Sequence, residues 1–156
     1  VREIVGDTAG DVEVIAQPDG DLGERMRATM TALFARGASA VALVGSDIPH
    51  IAAATVAEAC ALVLGDPDAL VLGPSADGGY YLIAAQRLPD VFSGITWGSG
   101  HVLAQTERAA AAHHFRVHLL ATLADVDTAE DLRGAARSGR APRTAAWVSA
   151  HAARSP

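Results

Sequence analysis

Asp47 is the carboxylate with the widest chemistry open to it. It lies in Gly45-Ser46-Asp47-Ile48-Pro49, directly after the apolar run Ala40–Val44, where a side chain would stand at the rim of a sheet. A hard cation such as magnesium binds through one or two carboxylates while phosphate oxygens fill other positions. Asp47 suits that role, and it suits equally the capping of a helix that begins near Pro49. Asp125 and Asp127 form a second acidic motif in Asp125-Val126-Asp127-Thr128. If the preceding strand runs that far, alternation turns both to one face and pairs their oxygens as ligands. Asp127 also marks a helix start, where negative charge is favourable without a ligand, and spacing slightly favours this plainer role. Thr128 and Asp131 have capping-box spacing and are assigned to capping alone.

Two glycine-bearing segments join these carboxylates. In Gly73-Pro74-Ser75-Ala76-Asp77-Gly78-Gly79-Tyr80-Tyr81 the glycines allow positive φ or a close approach to a ligand, and the tyrosines could line a pocket. A tight turn between strands would need the same residues. In Gln17-Pro18-Asp19-Gly20-Asp21-Leu22-Gly23-Glu24-Arg25-Met26 a helix start could meet an anion, with Arg25 in support. Asp21 and Glu24 make that start acidic, which repels phosphate but suits hydrogen bonds to a base or sugar; capping is the stronger reading of Asp21. His113, His114 and His118 lack zinc spacing with the single cysteine, Cys60. No nucleophile elbow surrounds Ser46, Ser75 or Ser99, and neither a Walker loop nor a dinucleotide fingerprint is present. Trp97 could stack on a ligand, with core packing as the plainer role.

The elements that must position these residues follow from periodicity. Val12, Val14 and Ala16 alternate with other residues up to Gln17-Pro18 and predict a strand. Met26, Met30, Leu33 and Phe34 recur at helical spacing between Asp21 and Gly37. Ala40–Val44 reads as a buried strand, and Pro49 as the first turn of a helix reaching Leu64. Ala69–Leu72 and Tyr80–Ala84 read as strands around the loop Gly73–Gly79. A helix is expected from Val102 to His113, a strand over Val117–Leu120, a helix from Thr128 to Gly139, and a last helix from Pro142 to His151 with Trp147 on its apolar side. Strands alternating with helices predict a mostly parallel sheet with helices on both faces, and ligands at the carboxyl ends of the strands.

The 156 residues suit one domain, 1–156. Half are apolar and only 4% aromatic, a composition that packs through small and aliphatic side chains. A net charge of −6 argues against nucleic-acid partners. No apolar run approaches the roughly 20 residues of a membrane span. With one cysteine and no signal-peptide pattern, a cytoplasmic location is expected. All 12 Lys and Arg positions are arginine, so a phosphate contact must use arginine, backbone N–H groups or a metal.

The phrases QPDGDLGERM, LVGSDIPHI, VLGPSADGGYYLIA, ITWGS and LADVDTAEDL, in this order between Val12 and Arg133, resemble DUF2064, a bacterial family of the glycosyltransferase-A superfamily. That family is similar to the guanylyltransferases of cofactor F420 and molybdenum cofactor synthesis. The resemblance implies an α/β fold: a Rossmann-like three-layer sandwich of the nucleotide-diphospho-sugar transferase type. It implies a transferase that uses a nucleotide sugar or nucleoside triphosphate, with glycosyl or nucleotidyl transfer to a small-molecule acceptor. Mg2+ or Mn2+ would be held by Asp47, Asp125 and Asp127, with Asp47 and Asp77 as the catalytic carboxylates. Gln17, Gly23, Glu24 and Arg25 would bind the nucleotide, and Asp77, Gly78, Gly79 and Trp97 the acceptor. Family members usually open with a strand and a lysine- and arginine-bearing glycine loop. Val1–Val5 instead reads as a later strand, so the chain is expected to be N-terminally truncated. The alternative is a truncated, non-catalytic nucleotide-binding or regulatory module. Self-association into a homo-oligomer is left open.

Overall fold

The computed structural model describes residue 13 and residues 15–151. Val1–Val5, Val12 and Val14 lie outside the described residues, and residues 15–18 take no regular structure. The first helix, α1 (Leu22–Ala35), forms where the periodicity predicts it because both sides of its start are sealed. The Asp21 carboxylate accepts from the Glu24 N–H at 2.8 Å, and the Glu24 carboxylate accepts from the Asp21 N–H at 2.8 Å. This reciprocal cap satisfies two backbone donors that a helix start otherwise leaves open.

The remaining elements are β1 (Val41–Val44), α2 (Ala53–Gly65), β2 (Ala69–Pro74), β3 (Tyr80–Ala85), α3 (Val102–Ala112), β4 (Arg116–Leu119), α4 (Ala129–Arg137) and α5 (Pro142–His151). The strands form one sheet in the order β1-β3-β2-β4. β3 pairs antiparallel with both β1 and β2, with Leu43 opposite Ile83 and Leu72 opposite Ile83, while β2 pairs parallel with β4. The described sheet is therefore mostly antiparallel, which corrects the mostly parallel sheet expected above. The reason lies in the connection between β2 and β3. Parallel neighbours need a crossover of about a dozen or more residues, whereas residues 75–79 can only turn the chain back. The elements do alternate elsewhere, and β1, β2 and β4 all run in one direction.

Alternation along the strands splits the core in two. Leu70, Leu72, Ile83 and Ala85 point to one face, where they meet Met26 and Met30 of α1 and Leu103 and Ala110 of α3. Ala69, Val71, Leu82 and Ala84 point to the other, against Ala59 and Val63 of α2. Helices thus cover both faces, and the small side chains let them approach closely. α4 and α5 pack on each other.

Local expectations need three further corrections. Pro49 and His50 form a turn, and α2 begins only at Ala53 with Ala52 as an N-cap that supplies no side-chain bond. Asp47 therefore does not cap that helix. β4 ends at Leu119, so Asp125 and Asp127 do not extend a strand. Trp147 is exposed and stacks on His151 at 4.3 Å, because α5 offers no buried side to receive it. Thr128 does cap α4, in a capping box with Asp131.

Asp21→Ala is expected to lower stability to chemical denaturation by about 1 kcal/mol, the ordinary cost of losing such a cap, with an unchanged denaturant slope.

Candidate active site

The common direction of β1, β2 and β4 brings their carboxyl ends to one rim. Backbone bonds knit that rim together: Gly45 N–H donates to Tyr81 O at 2.8 Å, Leu123 N–H to Pro74 O at 3.0 Å, Ala76 N–H to Leu123 O at 2.9 Å and Val126 N–H to Asp47 O at 3.0 Å. The phenol of Tyr81 adds a bond to Ala121 O at 3.0 Å. The segment after β4 is thereby carried across the ends of β2 and β1, and Asp125 arrives beside Asp47 and Asp77 although no strand holds it.

These three carboxylates line a cleft of about 580 Å³. One side is polar, with Ser46, Asp47, Ser75, Asp77 and Asp125; the other is apolar, with Leu22, Met26, Leu43, Tyr80, Trp97 and Val102. Among the described lining residues there is no arginine or histidine. Asp47 is exposed at the bend after β1, and its Oδ1 leans over Gly45, 2.7 Å from where a β-carbon would stand there. Asp77 is held in the β2–β3 turn by the Gly79 N–H, which donates to its Oδ1 at 2.9 Å. Ser75, buried at the end of β2, donates from Oγ to Asp125 Oδ1 at 3.1 Å.

Burial raises the pKa of the Asp125 carboxyl, the Ser75 hydrogen bond opposes that shift, and the charges of Asp77, Asp47 and Asp127 raise it further. No arginine or histidine among the described lining residues offsets these like charges. Among the described residues no group of three or more His, Cys, Asp or Glu side chains is placed to hold a metal ion. One or two carboxylates with open positions is nonetheless the donor set that a phosphate-bound hard cation uses.

The residues expected to bind a ligand divide into two groups. Gln17, Asp47, Asp77, Gly79, Trp97 and Asp125 line the cleft. Glu24 is engaged in the α1 cap, Arg25 donates from Nε to Asp21 O at 3.4 Å, and neither lines the cleft. Asp127 is exposed outside the lining and acts on Asp125 through its charge. Gly23 is buried under Trp97: a β-carbon there would stand 2.7 Å from the indole Nε1. Gly78, at φ +91°, turns the chain where its backbone abuts that of Gly100. The expected nucleotide and acceptor groups thus meet in one wall, with Tyr80 edge-on to Trp97 at 6.4 Å. Reading the sequence overlooked Ser75 as a partner of Asp125, since a serine closing a buried strand carries no catalytic spacing.

The family described as "Uncharacterized protein conserved in bacteria (DUF2064)" matches residues 2–99. The chain belongs to this family. The DUF2064 match covers the motifs around Gln17, Asp47, Asp77 and Trp97, while Asp125 and Asp127 lie beyond it. A solved structure of a candidate nucleotide-diphospho-sugar transferase from Desulfovibrio desulfuricans G20 is similar at 38% identity and a TM-score of 0.67. The similarity covers 72% of this chain and 49% of that one, so the chain spans about half the length of that relative. The DUF2064 chain therefore has an α/β sandwich related to nucleotide-diphospho-sugar transferases. No curated protein matches it. Among the described residues no helix is long and apolar enough to cross a membrane.

The raised Asp125 pKa predicts a pH dependence. A carboxyl whose folded pKa exceeds its unfolded value favours the protonated folded state. Its contribution to stability therefore falls as pH rises from the unfolded value of about 4 through the folded one. Asp125→Asn keeps an oxygen for Ser75 and has no charge to repel. Its melting temperature is expected to exceed that of the parent at pH 7, and the gain should vanish below about pH 4.

Proposed function

We propose that the cleft belongs to a metal-dependent transferase that moves a glycosyl group from a nucleoside-diphosphate sugar to a small acceptor. The observation that carries this reading is the charge of the lining: Asp47, Asp77 and Asp125 face the cleft without an arginine among them. Among the described lining residues a donor diphosphate would meet carboxylates and no arginine or histidine, so binding it there calls for a cation. Mg2+ or Mn2+ would be held by Asp47 and Asp125, with Asp127 adding negative potential from outside the lining. Such an ion, when bound, neutralises the diphosphate and stabilises it as a leaving group.

The chain's own residues supply positioning and proton transfer. Ser75 orients the Asp125 carboxylate, and the bond from Val126 to Asp47 O fixes the distance between their backbones. Gln17, at the same cleft, is a side-chain amide able to read a base edge or ribose. Asp77 has one oxygen engaged by Gly79, which leaves the other to orient an acceptor hydroxyl and take its proton. In the transfer the acceptor oxygen bonds to the anomeric carbon, the bond from that carbon to the diphosphate breaks, and the proton moves to Asp77. The apolar wall of Tyr80 and Trp97 would pack against a sugar or acceptor ring. The similarity to a protein described as a candidate nucleotide-diphospho-sugar transferase supports group transfer as the reaction class.

The test is product analysis. With Mn2+ and a panel of nucleotide sugars and acceptors, the chain is expected to release nucleoside diphosphate. Asp47→Asn and Asp77→Asn should each lower the rate by about 100-fold or more, within the range of a lost catalytic carboxylate. Pyrophosphate released from nucleoside triphosphates would replace the glycosyl step with nucleotidyl transfer. A folded preparation that binds no nucleotide with Mn2+ would overturn the transferase reading altogether.

A further inference from the structure

We infer that Gln105 is a positioning residue that fixes Trp97 as a rigid wall of the cleft. Residues 95–101 contain no helix or strand, so the indole needs other restraints to hold one orientation. Gln105, on α3, supplies two of them to the residue beside Trp97. The Thr96 N–H donates to Gln105 Oε1 at 2.8 Å, and Gln105 Nε2 donates to Thr96 Oγ1 at 3.2 Å. Both ends of one amide are spent on one residue, a geometry that fixes rotation as well as distance. Ser99 Oγ also donates to Thr96 O at 2.7 Å, closing the loop on itself.

The clamp works with two close approaches described above. Gly23 lets the indole lie against the start of α1, and the Gly78 backbone supports Gly100; Leu103 N–H donates to Gly78 O at 2.9 Å. Trp97 lines the cleft whereas Gln105 does not, so a side chain outside the site sets the face that a ligand would meet. Gln105 also lies past residue 99, where the family match ends. On the transferase reading, a fixed indole selects ring-shaped acceptors by shape. That consequence rests on the proposed function, but the clamp itself does not.

The test needs no ligand. In a Trp147→Phe background Trp97 is the remaining tryptophan, and its acrylamide quenching and anisotropy decay report its exposure and motion. Gln105→Leu removes both bonds at similar volume, and Gln105→Met serves where leucine disturbs α3. Gln105→Glu still accepts from the Thr96 N–H and can accept from its hydroxyl. The apolar variants are expected to raise the quenching constant at least about twofold and shorten the anisotropy decay, while Gln105→Glu stays near the parent. A merely structural glutamine would lower the melting temperature without changing Trp97 in the native state. Unchanged Trp97 quenching in a folded apolar variant, or Gln105→Glu as loose as Gln105→Leu, would overturn the assignment. Neither result depends on whether the chain transfers a sugar.

Discussion

Backbone hydrogen bonds across the strand ends hold Asp47, Asp77 and Asp125 together in spite of their charges. The bonds from Leu123 to Pro74 O, Ala76 to Leu123 O and Val126 to Asp47 O do not involve the carboxylates, so repulsion cannot release them singly. Each contributes on the order of 1 kcal/mol net, and the strands that they join are anchored by buried Leu72, Leu82 and Ile83. Repulsion between carboxylates near water is smaller because solvent screens it. Burial raises the pKa of Asp125, and the charges of Asp77, Asp47 and Asp127 add to that shift. The described lining of this rim thus carries three carboxylates and neither arginine nor histidine.

The rest of the architecture serves that rim. The β2–β3 hairpin places Asp77 at a turn rather than a helix start, and the small residues of both faces let α1, α2 and α3 brace the sheet. The cleft is consequently two-sided, with carboxylates along the strand ends and an apolar wall from α1, β3 and the loop before α3. Trp97 belongs to this wall through packing, and its half-buried indole also lines the cleft.

Much of this was legible in the residues. Apolar periodicity located α1, β1, β2 and β3, and the acidic cap at Asp21 followed from side-chain chemistry. The rim position of Asp47 follows from a strand ending in glycine, although β1 is not the buried strand expected: Val41 is buried and Val44 is exposed. Alternating elements suggest crossovers and a mostly parallel sheet, whereas the five residues between β2 and β3 demand a hairpin. The helix after Asp47 starts later than Pro49 suggested, since proline tolerates a turn as readily as a first helical turn. Asp125 could not be placed from its spacing because its position depends on bonds to residues about 50 and 80 places earlier in the chain, and nonlocal pairing leaves no local pattern. Glu24 and Gly23 were expected at the nucleotide; the former closes a helix and the latter makes room for an indole.

The proposed cation site at Asp47 and Asp125, beside Asp77, is tested most directly by a Mn2+ titration followed by amide NMR. Paramagnetic broadening should appear first and together at residues 45–48, 75–79 and 123–126, and should be lost in Asp47→Asn. Broadening centred instead on exposed carboxylates such as Asp66, Asp68 or Glu130, or scattered without saturation, would contradict the account.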